Sequence, residues 1–176
     1  MTQAEKFIQI LTAEAGYKEQ GGKDGKSGNI TKYWDWYKKK TKKDFQGNSW
    51  CGVFLDWGMS QVKGSAPSTV YTPAGVEGFK GRGRWSNAAT AKPKVGDYGY
   101  CNFDEDPEVD HVFAVVKDNG DGTVTTVEGN TTPDGVKGSQ SNGGQVAIKI
   151  RAYRKDNKRK LPVYVVGFGT PKWSDK

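Results

Sequence analysis

His111-Val112-Phe113-Ala114-Val115-Val116-Lys117-Asp118-Asn119-Gly120-Asp121-Gly122-Thr123-Val124-Thr125-Thr126-Val127-Glu128 decides the fold class. Two runs of β-branched and aromatic residues, free of proline, flank the dipeptides Asn-Gly and Asp-Gly, which supply the positive φ angles of tight hairpin turns. If Asn119-Gly120 is a two-residue loop, Asp118 pairs with Asp121 and an unbulged ladder sets His111 opposite Glu128. Directly opposed residues hold their Cβ atoms about 4.5–5.5 Å apart. A carboxylate there can accept the imidazole N–H and fix its tautomer. The competing turn, Asp121-Gly122, would set His111 opposite Thr132 and offer no charged orienter. The Asn-Gly register is the reading adopted, because the turn is at least as good and a carboxylate then meets the ring.

Strand-like runs continue around this hairpin at 98–103, 146–153 and 163–168, while the first half of the chain is helical in pattern. Phe7, Ile8, Leu11 and Ala15 recur at helical spacing, which predicts an amphipathic helix over 3–15 ending near Gly16. A glycine- and lysine-rich loop (Gly21, Gly22, Gly25, Gly28) precedes a short aromatic helix holding Tyr33, Trp34, Trp36 and Tyr37. Trp34 and Tyr37 share a face of it, a pattern more often used for packing than for ligand binding. A further helix starts after Gly47-Asn48-Ser49, with Asn48 or Ser49 as its cap, and runs towards Val62 with Trp50, Val53, Phe54 and Trp57 as its buried stripe. Residues 64–83, rich in glycine and holding Pro67 and Pro73, read as a connecting loop with room for one short helix. Helices first and strands after, with connections too short for crossover helices, predict one α+β domain with a largely antiparallel sheet. The length of 176 residues suits a single domain.

The formal charge of +7 favours an anionic partner, and charge alone does not choose among nucleic acid, anionic lipid and acidic wall polymers. The lysines at 38, 39, 40, 42 and 43, and the basic group Lys155, Lys158, Arg159 and Lys160, equally suit a solvated helix face and loop. No stretch approaches the ~20 apolar residues of a membrane span, and residues 1–20 are amphipathic rather than signal-like. A protein made in the cytoplasm without a secretion signal, its thiols reduced, is therefore the expectation.

A single histidine excludes chemistry built on several imidazoles, including a multi-histidine zinc amidase. The two cysteines show no metal-binding spacing. A Cys-His pair remains. Cys51 falls in the first turn of a predicted helix, where unpaired backbone N–H groups and the helix dipole favour a thiolate. Among Trp50, Val53 and Phe54 it could instead be a small core residue. Cys101, inside a predicted strand, has no such activation and reads as packing. His111 taken alone could be a satisfied structural residue; the hairpin register is what pairs it with Glu128. Asn130 lies on the same strand face as Glu128 and could orient the ring or the substrate, or simply cap the strand end.

With these residues assembled, the chain resembles the CHAP family, the cysteine, histidine-dependent amidohydrolases and peptidases, especially the catalytic domains of bacteriophage endolysins. Asn48-Ser49-Trp50-Cys51-Gly52-Val53-Phe54 is similar to the family's nucleophile-bearing helix start, and Lys94-Val95-Gly96-Asp97-Tyr98-Gly99-Tyr100 to the approach to its sheet. Asp110-His111-Val112-Phe113-Ala114-Val115-Val116 resembles its histidine strand, and Val127-Glu128-Gly129-Asn130-Thr131 the segment carrying its third and fourth active-site residues. Any one motif is weak; the order Cys, His, Glu-x-Asn is specific.

The resemblance implies a papain-like fold and a peptidoglycan hydrolase: an N-acetylmuramoyl-L-alanine amidase, or an endopeptidase of the peptide stem or cross-bridge. Cys51, His111, Glu128 and Asn130 would be catalytic; Trp50, Asn48 and Gln46 would lie at the substrate, with Gln46 or Asn48 as a side-chain oxyanion donor. No cofactor is expected, and no calcium before Cys51, where only Asp44 is acidic. The cluster Asp104, Glu105, Asp106, Glu108 and Asp110 offers oxygen ligands, but equally a solvated loop. The expected enzyme is a monomer that binds neither nucleic acid nor membrane, lacks a separate wall-binding domain, and reaches the wall at lysis. Two rival classes remain open: a non-catalytic wall- or nucleic-acid-binding module, and an NlpC-type or transglutaminase-like cysteine enzyme.

Overall fold

A computed structural model describes residues 1–21, 27–104 and 106–174; Gly22, Gly25 and Glu105 of the segments above lie outside it. The helix α1 (Gln3–Thr12) starts at a capping box, in which Thr2 accepts from the Glu5 N–H and Glu5 accepts from the Thr2 N–H. It buries Phe7, Ile8 and Leu11 but ends earlier than expected. Ala15 is exposed, and Gly16 sits at φ +90 in a turn. Two short strands follow, β1 (Gln20–Gly21) and β2 (Ser27–Ile30), paired antiparallel.

The aromatic helix α2 (Lys32–Thr41) is capped by Thr31. Trp34 and Tyr37 meet edge to face at 5.6 Å, as packing. Lys38, Lys39 and Lys40 occupy its last turn, beside the negative end of the helix dipole. The helix α3 (Cys51–Met59) begins later than the expected cap. Trp50 is its N-cap residue and no side chain caps it; Trp50, Val53 and Phe54 are buried.

Two-residue β3 (Gly64–Ser65) precedes α4 (Thr72–Gly81), a ten-residue helix where mostly loop was predicted. Gly75 and Gly78 are there for close approach rather than for turning: a Cβ would lie 2.6 Å from the Thr69 hydroxyl at Gly75 and 2.4 Å from Pro67 at Gly78. Pro73 sits at the helix start, where its missing N–H costs nothing.

The remaining strands are β4 (Trp85–Asn87), β5 (Tyr98–Cys101), β6 (His111–Asp118), β7 (Thr123–Thr131), β8 (Gln145–Ala152), β9 (Val165–Gly169) and β10 (Lys172–Trp173). Six of them form one antiparallel sheet in the order β4-β9-β5-β6-β7-β8, and β10 pairs with β3. The class is α+β, with a mostly antiparallel sheet. On one sheet face, Val112, Ala114, Val127 and Val146 pack against Phe7, Leu11, Val53 and Phe54 of the helices. Each fully buried Val, Leu or Phe among these contributes about 1.5–3 kcal/mol. On the other face Cys101, Phe113, Val115, Val124 and Phe168 pack under Ala88, Ala91 and Tyr153. Among the described residues no helix is long and apolar enough to cross a membrane.

The hairpin adopts neither predicted register. The Asn119 N–H bonds the Thr123 carbonyl at 3.0 Å, closing a three-residue loop of Gly120, Asp121 and Gly122. Both glycines have positive φ, +72 and +85, so both turn dipeptides are used at once. Asp118 therefore pairs with Val124. Val115 pairs with Thr126 but Lys117 with Thr125, which leaves Val116 as an extra, bulged residue. Beyond the bulge Ala114 faces Val127. That register carries Phe113, not His111, across from Glu128, and His111 lies diagonally, two residues along the same face.

Candidate active site

Cys51 is the first residue of α3, and His111 the first of β6. Just before α3 the chain turns at Gly47, which has φ +92, with the Asn48 N–H on the Phe45 carbonyl. Gly52 is required by the next contact, since a Cβ on it would lie 1.8 Å from the Thr69 carbonyl oxygen. With no side-chain cap, the amides of the first turn are left pointing at the thiol end of the helix.

The diagonal still brings His111 and Glu128 together, because both side chains are long enough to span it. His111 Nε2 lies 2.8 Å from Glu128 Oε2, and both side chains are fully buried. Nδ1 has no hydrogen-bond partner among the described residues. The Cys51 thiol is close enough for the two groups to shift each other's protonation.

Burial by itself pushes the Cys51 thiol up, but the His111 hydrogen bond and charge, the Val112 N–H and the Ser49 hydroxyl together take it below its ordinary value. Burial likewise lowers His111, yet the bonds and charges of Cys51 and Glu128 raise it to about 9. Glu128 is held well below the usual carboxylate range: burial opposes ionisation, and the Arg151 charge followed by the His111 and Arg151 hydrogen bonds outweighs it. These shifts favour charge on all three groups, with the imidazolium between the thiolate and the carboxylate. Such an arrangement supports nucleophilic attack followed by protonation of a leaving group.

Asn130, at φ +55, donates to Ser49 Oγ (3.0 Å) and Asn142 Oδ1 (3.3 Å) and accepts the Gly144 N–H (3.1 Å). Ser49 Oγ is 3.9 Å from Cys51 Sγ. Asn130 thus reaches the thiol through Ser49, and its amide makes no hydrogen bond to the ring.

The three residues expected at the substrate are otherwise engaged. Trp50 is fully buried, stacked on Tyr33 and donating its indole N–H to Glu19 at 2.7 Å, so it cannot touch a substrate. Gln46 spends its amide on the Thr31 N–H, the Thr31 carbonyl and Asp35, tying the residues before α3 to the start of α2. Asn48 donates to the Phe45 carbonyl. Both amides brace the chain.

Cys101 is a free, buried thiol directly across from His111, raised above its ordinary value by burial. In the acidic loop, Asp104 Oδ1 and Asp106 Oδ1 accept backbone N–H groups two residues on, and Asp110 Oδ2 accepts the Phe103 N–H. No cluster of three potential metal ligands occurs among the described residues.

Sequence pattern missed one member of the site, Arg151. Its guanidinium grips Glu128 with two hydrogen bonds, Nε to Oε1 at 2.8 Å and Nη2 to Oε2 at 2.7 Å. The alternation of β8 was the available signal, since it places Arg151 among inward residues where a cation needs a partner. No protein-family model matches the sequence, and a search of curated proteins finds no match.

Proposed function

We propose that the chain is a thiol-dependent hydrolase of amide bonds in bacterial peptidoglycan, with a papain-like arrangement of the CHAP type. The observation that carries this reading is the buried line Cys51, His111, Glu128, with one ring nitrogen on the carboxylate and the other left to the thiol. A binding module has no use for such a line, which costs stability to bury. The wall as substrate rests on the resemblance of the motifs and on the +7 charge, which suits an acidic polymer.

In the proposed reaction the Cys51 thiolate attacks the carbonyl carbon, and the oxyanion forms at the N–H groups of the first turn of α3. As the tetrahedral species collapses, His111 gives its Nδ1 proton to the departing amine, leaving a thioester on Cys51. Water then attacks the thioester, His111 takes its proton, and carboxylate and thiol are released. Glu128 holds the ring's orientation and offsets the imidazolium charge throughout.

Mass analysis of purified peptidoglycan after incubation tests this. New amino termini or freed lactyl carboxyls are the expected products. New isopeptide links would instead mean acyl transfer, and unaltered wall would mean binding alone.

A further inference from the structure

We propose that Arg151 is a positioning residue of this site: by clamping Glu128 from behind, it fixes the carboxylate that orients His111 and so maintains the Cys51–His111 ion pair. The inference rests on the thiol-hydrolase reading above.

The geometry is that of a fork on a carboxylate. Nε and Nη2 of Arg151 each take one oxygen of Glu128, Nη1 donates to Gln140 Oε1 at 3.0 Å, and the guanidinium stacks 5.2 Å from the Phe103 ring. Phe103 in turn lies 5.9 Å from the His111 ring, so one aromatic side chain lies beside both His111 and Arg151. Thr126 Oγ1 donates to Glu128 Oε1 at 2.7 Å. Glu128 thereby accepts four hydrogen bonds, one from each of His111 and Thr126 and two from Arg151, and has no freedom to rotate.

A carboxylate that faced only an imidazole could take the proton instead. Burial favours that neutral state, which would return His111 and Cys51 to imidazole and thiol. Arg151 prevents it by keeping Glu128 ionised, and its planar fork does so in one orientation, which a lysine would not. The other ionisable groups around the relay are Cys101 and Asp110 on the β5–β6 side and Lys149 and Asp134 on the β8 side. Lys149 is committed to the Thr132 carbonyl and Gln140.

The test uses the full chain carrying Cys101→Ala, so that iodoacetamide reads only Cys51, with alkylation rate followed against pH. In the parent, alkylation should be fast through neutral pH. Arg151→Met should move the acid limb upward by about one unit or more, a tenfold slower reaction on that limb, and Arg151→Lys should fall between. In a Glu128→Gln background, Arg151→Met should add no further shift. A folded Arg151→Met with an unmoved limb, or shifts that add to those of Glu128→Gln, would overturn the proposal. If Arg151→Met fails to fold by near-UV circular dichroism, Arg151→Lys decides, and an unmoved limb there overturns it too. Absence of wall cleavage by the parent, with these shifts intact, would remove the hydrolase reading and leave the clamp standing.

Discussion

The imidazole of His111 meets Glu128 through Nε2, 2.8 Å from Oε2, which leaves Nδ1, without a hydrogen-bond partner among the described residues, as the nitrogen available to Cys51. The division of labour between the two ring nitrogens gives each neighbouring residue a distinct expected phenotype.

Cys51→Ala should abolish wall cleavage, while Cys101→Ala should retain most of it. Both thiols are buried and free, yet only Cys51 is lowered by the histidine; Cys101 is raised by burial and would react hardly at all. Turbidity loss on suspended walls reports both. Wild-type rates in Cys51→Ala would remove the nucleophile assignment.

Glu128→Gln should slow turnover at least tenfold and also lower Tm. The amide leaves two buried cations, His111 and Arg151, without their shared counter-charge. Removing one partner of a buried ion pair costs about 3–5 kcal/mol. Thermal melting and single-turnover rates measure the two effects separately. A variant as stable and as active as wild type would make Glu128 an ordinary strand residue.

Both the activity and the stability of the site should depend on pH in a defined direction. Because His111 is raised to about 9, cleavage should fall as pH rises through about 9, when the imidazolium loses the proton needed by the leaving amine. His111 is raised on folding, so its stabilisation is full below its unfolded value near 6.5 and lost as pH rises through about 9. Cys51 is lowered, so its stabilisation is present above an unfolded thiol value of about 8.5 and lost as pH falls through the folded one. The two contributions run in opposite directions, and above about 8.5 only that of His111 is still changing, so the pair's net stabilisation wanes as pH rises from there through about 9. Tm and initial rates measured from pH 6 to 10 check this; activity still rising at pH 10 contradicts the ion pair.

The α+β class and the strand pairing that brings His111 near Glu128 were legible from local rules, alternation in β6 and β7 and glycine turns between them, whereas Cys51 was joined to them by elimination and by resemblance. The register was not, since the bulge at Val116 and the three-residue loop leave no mark that distinguishes them from simpler turns. The error was harmless only because Glu128 is long enough to bridge a diagonal. Trp50 and Gln46 were misplaced for a different reason. A motif next to a nucleophile does not say whether its side chains face the cleft or the core, and partners 31 and 15 residues away, Glu19 and Thr31, decide it. Arg151 was hidden by the same kind of distance, 23 residues from Glu128.

Chelation should leave most activity intact. The carboxylates of Asp104, Asp106 and Asp110 already accept backbone N–H groups of their own loop, and none of them touches the reacting pair. Rates with and without EDTA test this, and a strong loss restored by calcium would show that the loop is a ligand set acting on the site.

Asn130 separates backbone from side-chain contributions at the one place where β7 breaks register, between Glu128 and Thr131. Its φ of +55 is in the left-handed region, tolerated by asparagine, readily adopted by glycine and costly for alanine. Its side chain joins Ser49, Asn142 and Gly144, fixing the segment before α3 to the chain leading into β8. Asn130→Ala loses both features, while Asn130→Gly loses only the hydrogen bonds. The glycine variant should therefore be the more stable of the two, by about 1 kcal/mol. Turnover should fall by a similar factor in both, because Ser49 is then free to move away from the Cys51 sulfur, which it approaches to 3.9 Å. Tm ranks the two variants and kcat compares them. If both cleave wall at the wild-type rate, Asn130 is a strand-end latch with no part in catalysis; if alanine is as stable as glycine, the left-handed backbone is not what this residue supplies.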